Sequence, residues 1–182
     1  MTSRETSSAR RRRGEAPDRA RATARLAAVQ ALYELEMAGA PTDAVLAEFL
    51  NDRWRPAAGG EEVEAEGDLA KPDNAFFCEL VRGSTAHHDE IGRMIGEALS
   101  GGWTLERLEP LIRTILEAGT YELLARPDIP IRVVITEYVE VAHAFFAGKE
   151  PALVNGVLDR LARTLRHDEL ETSPGERTTE TR

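Results

Sequence analysis

The chain is short of cysteine, of long apolar runs and of alternating strand patterns, and each shortage excludes a class of protein. A single cysteine, Cys78, stands among 182 residues, so no disulfide can close within the chain. Cys78 lies among Phe76, Phe77, Leu80 and Val81 and is expected to be a buried, inert thiol. No apolar run approaches the ~20 residues that span a bilayer, and the first residues show no apolar secretory segment. The expected location is the cytoplasm, with no membrane partner. Period-2 alternation is missing as well. Val133-Val134-Ile135 is β-branched but short, and it continues into helical spacing,.

Catalytic patterns are equally scarce. The histidines are His87, His88, His143 and His167. None forms an H-x-x-x-H pair, and none stands at metal-ligand spacing from Cys78. The glycine pairs at 59–60 and 101–102 lack the strand context of a phosphate loop. Glu140 and His143, three apart, could pair, but nothing near them completes an acid–base site. No enzyme activity, cofactor or metal is expected.

What is present is charge, unevenly spread. The net charge is −9. Residues 1–25 hold eight arginines against three acids, so this segment is five positive and the remainder fourteen negative. An acidic body with an arginine arm would engage a polyanion at one end of the molecule. Residues 1–20 read as a disordered arm, and 167–182 as a polar tail. Between Pro56 and Pro72 the acids at 61, 62, 64, 66 and 68 mark a long mobile loop. A solvated loop is the expected reading there, not a metal site.

The rest is helical in period. The first helix is expected from about Ala20 to Met37, with Leu26, Val29, Tyr33 and Met37 as its apolar stripe. Arg21 and Arg25 lie four apart on it and share a face. A second helix, from about Thr42 to Trp54, has Thr42 as its expected N-cap. Asp73 opens a third, with Phe76, Phe77, Leu80 and Val81 inward and Arg82-Gly83 permitting a close contact. His87-His88 are expected at its end, where a cation suits the helix dipole. A fourth follows, from about Asp89 to Leu99. Trp103 is then expected to pack before Thr104, an expected N-cap. A long buried helix starts at Pro110 and ends near Arg126.

Two more helices flank Gly148. Val134, Tyr138, Val141 and Phe145 form one stripe; Val154, Leu158, Leu161 and Leu165 form the other,. Glu137 and Glu140 fall on the face expected to be solvated. Gly156, inside the second, costs roughly 1 kcal/mol relative to alanine. Close approach of another backbone is its expected reason. The reading is an all-α protein of about seven helices.

Four stretches in order, AAVQALYELEMAG from Ala27, TYELL from Thr120, VVITEYVEVAHAFF from Val133 and VNGVLDRL from Val154, resemble the NusB family of bacterial transcription antitermination factors. The resemblance covers roughly Arg21 to Arg166. It implies two perpendicular three-helix subdomains within a domain of residues 21–166. It also implies binding of boxA, a single-stranded RNA element of rRNA operons, together with ribosomal protein S10 (NusE), near RNA polymerase and other Nus factors. Some members self-associate, so a homodimer is possible. Arginines offer bidentate donors to phosphate, and arginine-rich segments can fold on RNA. Arg10, Arg11, Arg12, Arg13, Arg21 and Arg25 are therefore the RNA-contact candidates.

The sequence departs from the family at Lys149, commonly an acid, and at Leu153, commonly an aromatic. Both positions are RNA-contact candidates by the same resemblance. Glu117 stands for an arginine and Thr136 for an asparagine. Tyr33 is expected to pack rather than to stack on bases. Two alternatives remain: a helical module that binds only protein, and a stand-alone relative of the NusB-like domain of rRNA cytosine methyltransferases. The chain has no room for the catalytic domain those enzymes carry.

Overall fold

In the computed structural model, residues 3–53 and 70–172 are described, with side chains over 16–51 and 70–169. The helices are α1 (Ser3–Ala38), α2 (Thr42–Glu48), α3 (Asn74–Ala86), α4 (His88–Ala98), α5 (Pro110–Ala125), α6 (Ile131–Phe145), α7 (Glu150–Leu165) and α8 (His167–Thr172). A π-turn, Phe49–Arg53, extends α2, and a 3-10 turn, Leu105–Arg107, precedes α5. No strand occurs among the described residues. The expected acidic loop lies mostly outside them.

α1, α2 and α3 pack on one another, as do α5, α6 and α7, giving the two expected three-helix units. α5 joins them. It touches α1, α3, α4, α6 and α7, and its buried residues run round the whole helix: Ile112, Ile115, Leu116, Ala118 and Gly119 among others. A helix apolar on every side belongs at a centre. The hub of the fold is thus α5, although α6 and α7 carry the clearer stripes.

Local signals account for several boundaries. Asp73 caps α3 as expected, its carboxylate accepting from the Phe76 N–H at 3.0 Å,. Pro110 and Pro151 stand in the first turns of α5 and α7, where a missing N–H costs nothing. Gly39 and Gly101 adopt positive φ after α1 and α4, a conformation glycine reaches without strain.

Elsewhere the structure corrects the sequence reading. α1 begins at Ser3, not near Ala20, through a run rich in arginine and alanine, both good helix formers, with Pro17 inside it,. Its inner face is Ala24, Ala27, Ala28, Ala31 and Leu32 with Val29, and Met37 is 59% exposed. The small alanines let the neighbouring helices approach closely. Tyr33 is exposed rather than packed. Pro41, not Thr42, holds the N-cap of α2.

Trp103 is half exposed, and Phe145 is exposed at the end of α6. Thr104 is the N-cap residue of the 3-10 turn. Cys78 is only partly buried. His87 is the hinge residue between α3 and α4, and His88 begins α4 instead of ending α3. α8 forms where an unstructured tail was expected. Arg166 explains that corner: it donates to the carbonyls of Ile129 at 2.8 Å and Pro127 at 3.1 Å, and it pairs with Glu169. Glu169 also accepts from the Ile131 N–H at 3.1 Å, satisfying the start of α6,.

Glycines show how packing decides what sequence leaves open. A Cβ on Gly156 would meet nothing within 4 Å, so the expected backbone approach is absent. A Cβ on Gly83 would lie 1.8 Å from the Tyr121 ring, and one on Gly119 would press on Leu158 and Tyr138 at 3.1 Å. Gly83 is thus the close contact that the Arg82-Gly83 pair promised.

Candidate nucleic-acid interface

Arg21 and Arg25 leave α1 one turn apart, but the fold treats them oppositely. Arg25 is 3% exposed. Its Nε donates to Glu122 Oε2 at 2.9 Å and its Nη2 to Glu122 Oε1 at 2.6 Å, a forked pair,. Its Nη1 donates to Glu137 at 3.2 Å. Tyr138 donates its hydroxyl to Glu122 Oε2 at 2.9 Å. Burial alone would lower the Arg25 pKa, but the hydrogen bond and charge of Glu122 outweigh it and hold the value raised. Burial, then the Glu122 charge, pushes the Tyr138 hydroxyl well up, so it stays a donor.

This cluster ties α1 to α5 and α6. The fork of Arg25 is already occupied, so the expectation that it contacts RNA phosphate is corrected. The physical reason is burial: Glu122 is fully buried and requires a cation,. The expectation that Glu137 is simply solvated fails with it.

Arg21 is half-buried, and its guanidinium lies 5.8 Å from the centroid of the Phe76 ring. Arg25 and Arg126 stand over the same ring, each at 5.2 Å,. Arg126 is neutralised by Glu79 at 2.9 Å and by Asp128 at 2.8 Å. The hydrogen bond from Arg126 holds the Asp128 carboxyl down at about 2. Of the three guanidiniums around Phe76, Arg21 alone makes no hydrogen bond or salt bridge among the described residues.

Two grooves flank this end of α1. One, between α1 and α6, is largely apolar, with Ala22, Leu26, Val141 and Ala144 under Arg19 and Glu140. The other holds Arg21 between Asp18 and the α5–α6 turn. Lys149 is exposed at the N-cap of α7, and Leu153 is half-buried against the core. Neither lines either groove. The side chains of Arg10 to Arg13 lie outside the described residues. Glu140 and His143 form no pair.

Sequence reasoning missed Glu122 and Tyr138 as partners of Arg25, and Asp18 and Asp128 as neighbours of Arg21. The first pair carried a signal, since a glutamate inside the apolar TYELL run needs a buried cation. In the second, Asp18 was readable three residues before Arg21 on the same helix, while Asp128 carried no signal, because the α5–α6 turn meets α1 only in three dimensions. No helix among the described residues is long and apolar enough to cross a membrane. No group of His, Cys, Asp or Glu among them could hold a metal ion.

Fold and site together define an all-helical protein of two three-helix units, with an arginine-bearing end on its first helix. A family model described as the NusB family matches residues 22–163. "Transcription antitermination protein NusB" of Caulobacter vibrioides is 45% identical over 146 residues, which cover 80% of this chain and 94% of that protein. A solved structure of T. maritima NusB superposes with a TM-score of 0.66 at 28% identity, over 82% of this chain and 96% of that one. A crystal structure of antitermination factors NusB and NusE in complex with dsRNA shares the fold at 22% identity and a TM-score of 0.63, over 79% and 96%. The chain belongs to the NusB family.

Proposed function

We propose that the protein is a transcription antitermination factor that binds boxA-like single-stranded RNA of rRNA operons with ribosomal protein S10 (NusE). It holds that RNA near elongating polymerase, with other Nus factors, in the cytoplasm. It works as a binding factor, not as an enzyme. Membership of the family supports the process. One structural observation supports the RNA face: Arg21 presents from a fixed helix end a guanidinium with no hydrogen bond or salt bridge among the described residues, while Arg25 one turn further in anchors that end to α5 and α6.

The arginines at Arg10 to Arg13 add further contacts from the outer turns of α1,. Lys149 and Leu153, at the start of α7, are a second contact region; the cation at 149 suits a polyanion.

The test is RNA binding by the full chain, with and without S10, over a salt series. The expected result is tighter binding of a boxA-like strand than of a scrambled one, strongest with S10, and weakening as salt rises. Equal binding of the two strands at every salt concentration would overturn the reading.

A further inference from the structure

The groove beside Arg21 is mixed in charge, and that bears on what it can hold. It is a cavity of about 340 Å³ between the outer part of α1 and the α5–α6 turn, within the range of small-ligand sites. Asp18 and Arg21 line it from α1, three residues apart on one face,. Asp128 closes the far side. Ile129, Pro130 and Val133 supply apolar surface, and Val133 is 42% exposed there. At the inner end lie Arg25 and Glu137, already bonded to each other.

A phosphate suits this groove poorly. Placed on Arg21, it would meet the carboxylates of Asp18 and Asp128. The Asp128 carboxylate stays ionised down to about pH 2 because Arg126 donates to both its oxygens. Carboxylates repel phosphate oxygens and accept N–H donors. The fitting ligand is a planar group with N–H donors beside a carbonyl, able to lay a face on Val133.

Among nucleobases, guanine matches. Its N1–H and N2 amino group stand side by side and next to the O6 carbonyl. Uracil offers one donor between two carbonyls. Cytosine sets an acceptor nitrogen beside its amine. Adenine has no carbonyl. We propose that this groove takes a guanine of the bound single-stranded RNA, with Asp18 accepting from N1–H and N2–H and Arg21 donating to O6. Arg21 then reads sequence and does not serve as a general phosphate contact. This assignment rests on the RNA-binding reading above.

The experiment measures affinity of the full chain with S10 for a boxA-like strand and for strands in which each guanine in turn is replaced by inosine, which lacks the N2 amine. Wild type should show one position where inosine weakens binding about tenfold, as a lost paired base contact does. Asp18→Asn and Arg21→Ala should each bind the guanine strand about tenfold more weakly; Asp18→Asn should also become indifferent to inosine there, whereas Arg21→Ala, which removes only the O6 donor, should keep the inosine penalty. Their melting should match wild type, since neither side chain is in the core. Arg21→Ala should leave the slope of log affinity against log salt unchanged. A phosphate contact would instead flatten that slope by roughly 0.7 and weaken every strand alike; that result overturns the guanine assignment and leaves RNA binding intact. Inosine at the guanine positions without effect on wild type also overturns it. Wild type that prefers no boxA-like strand sinks both readings.

Discussion

The inner and outer turns of one helix carry the same residue to opposite ends. Arg25 is locked over Phe76 by Glu122 and Glu137, and Arg21, near the same ring, makes no hydrogen bond or salt bridge among the described residues. The two arginines share a helix, a spacing and an aromatic neighbour. Only the partners brought by α5 and α6 separate them. A charge run on a helix is therefore not one functional unit. Here Arg25 holds the fold, and Arg21 makes no hydrogen bond or salt bridge among the described residues.

The largest effect should come from breaking the inner half. Arg25→Ala leaves Glu122 buried and without a cation, a change that typically costs 3–5 kcal/mol. Denaturant melts should show that loss, and Arg21→Ala should shift the midpoint by less than about 0.5 kcal/mol. Equal losses for the two variants would erase the distinction between inner and outer turns.

The same contrast can be drawn with glycines. Gly83→Ala forces a methyl into the Tyr121 ring and should cost about 1–3 kcal/mol, as overpacking does. Gly156→Ala meets open space and should stabilise α7 by about 0.5–1 kcal/mol through helix propensity. A destabilised Gly156→Ala protein would show that another surface closes on α7.

The smallest expected effect concerns a second half-buried pair. His88 Nδ1 lies 2.8 Å from Glu117 Oε1, with the histidine 65% exposed and the glutamate 8%. The hydrogen bond to Glu117, then its charge, raises the His88 pKa above 6.5; burial is the main cause raising Glu117. A histidine whose folded value is raised contributes stability that is full below its unfolded value and lost as pH rises through the folded one. Melting should therefore weaken by less than about 1 kcal/mol as pH rises from 6.5, given the exposure of His88. His88→Ala should lower stability at pH 6 and reduce that pH dependence. An unchanged pH profile in the variant would place the titration elsewhere. The pair ties Glu117 of α5 to the first residue of α4.

Much of the architecture was readable because helical period is local. The stripes of α6 and α7, the Asp73 cap and the proline starts each depend on residues within one or two turns, and the structure repeats them except at Phe145, which ends the α6 stripe exposed. The two-subdomain fold and the family followed from four stretches in order. The α1 stripe misled, since Met37 and Tyr33 fit the period but lie past the edge of the packed body, while alanines too small to stand out in hydropathy line the contact.

The sequence by itself determined most of the helical segments (though not the outer turns of α1, nor α8), where most of the helices start, and that positive charge gathers at one end. Short-range rules suffice for these. Only the tertiary structure decided which arginine is buried, which glycine is crowded, and which carboxylates face Arg21. Those outcomes turn on residues nearly a hundred positions apart, as Arg25 and Glu122 are, and no local pattern encodes the distance at which two helices meet.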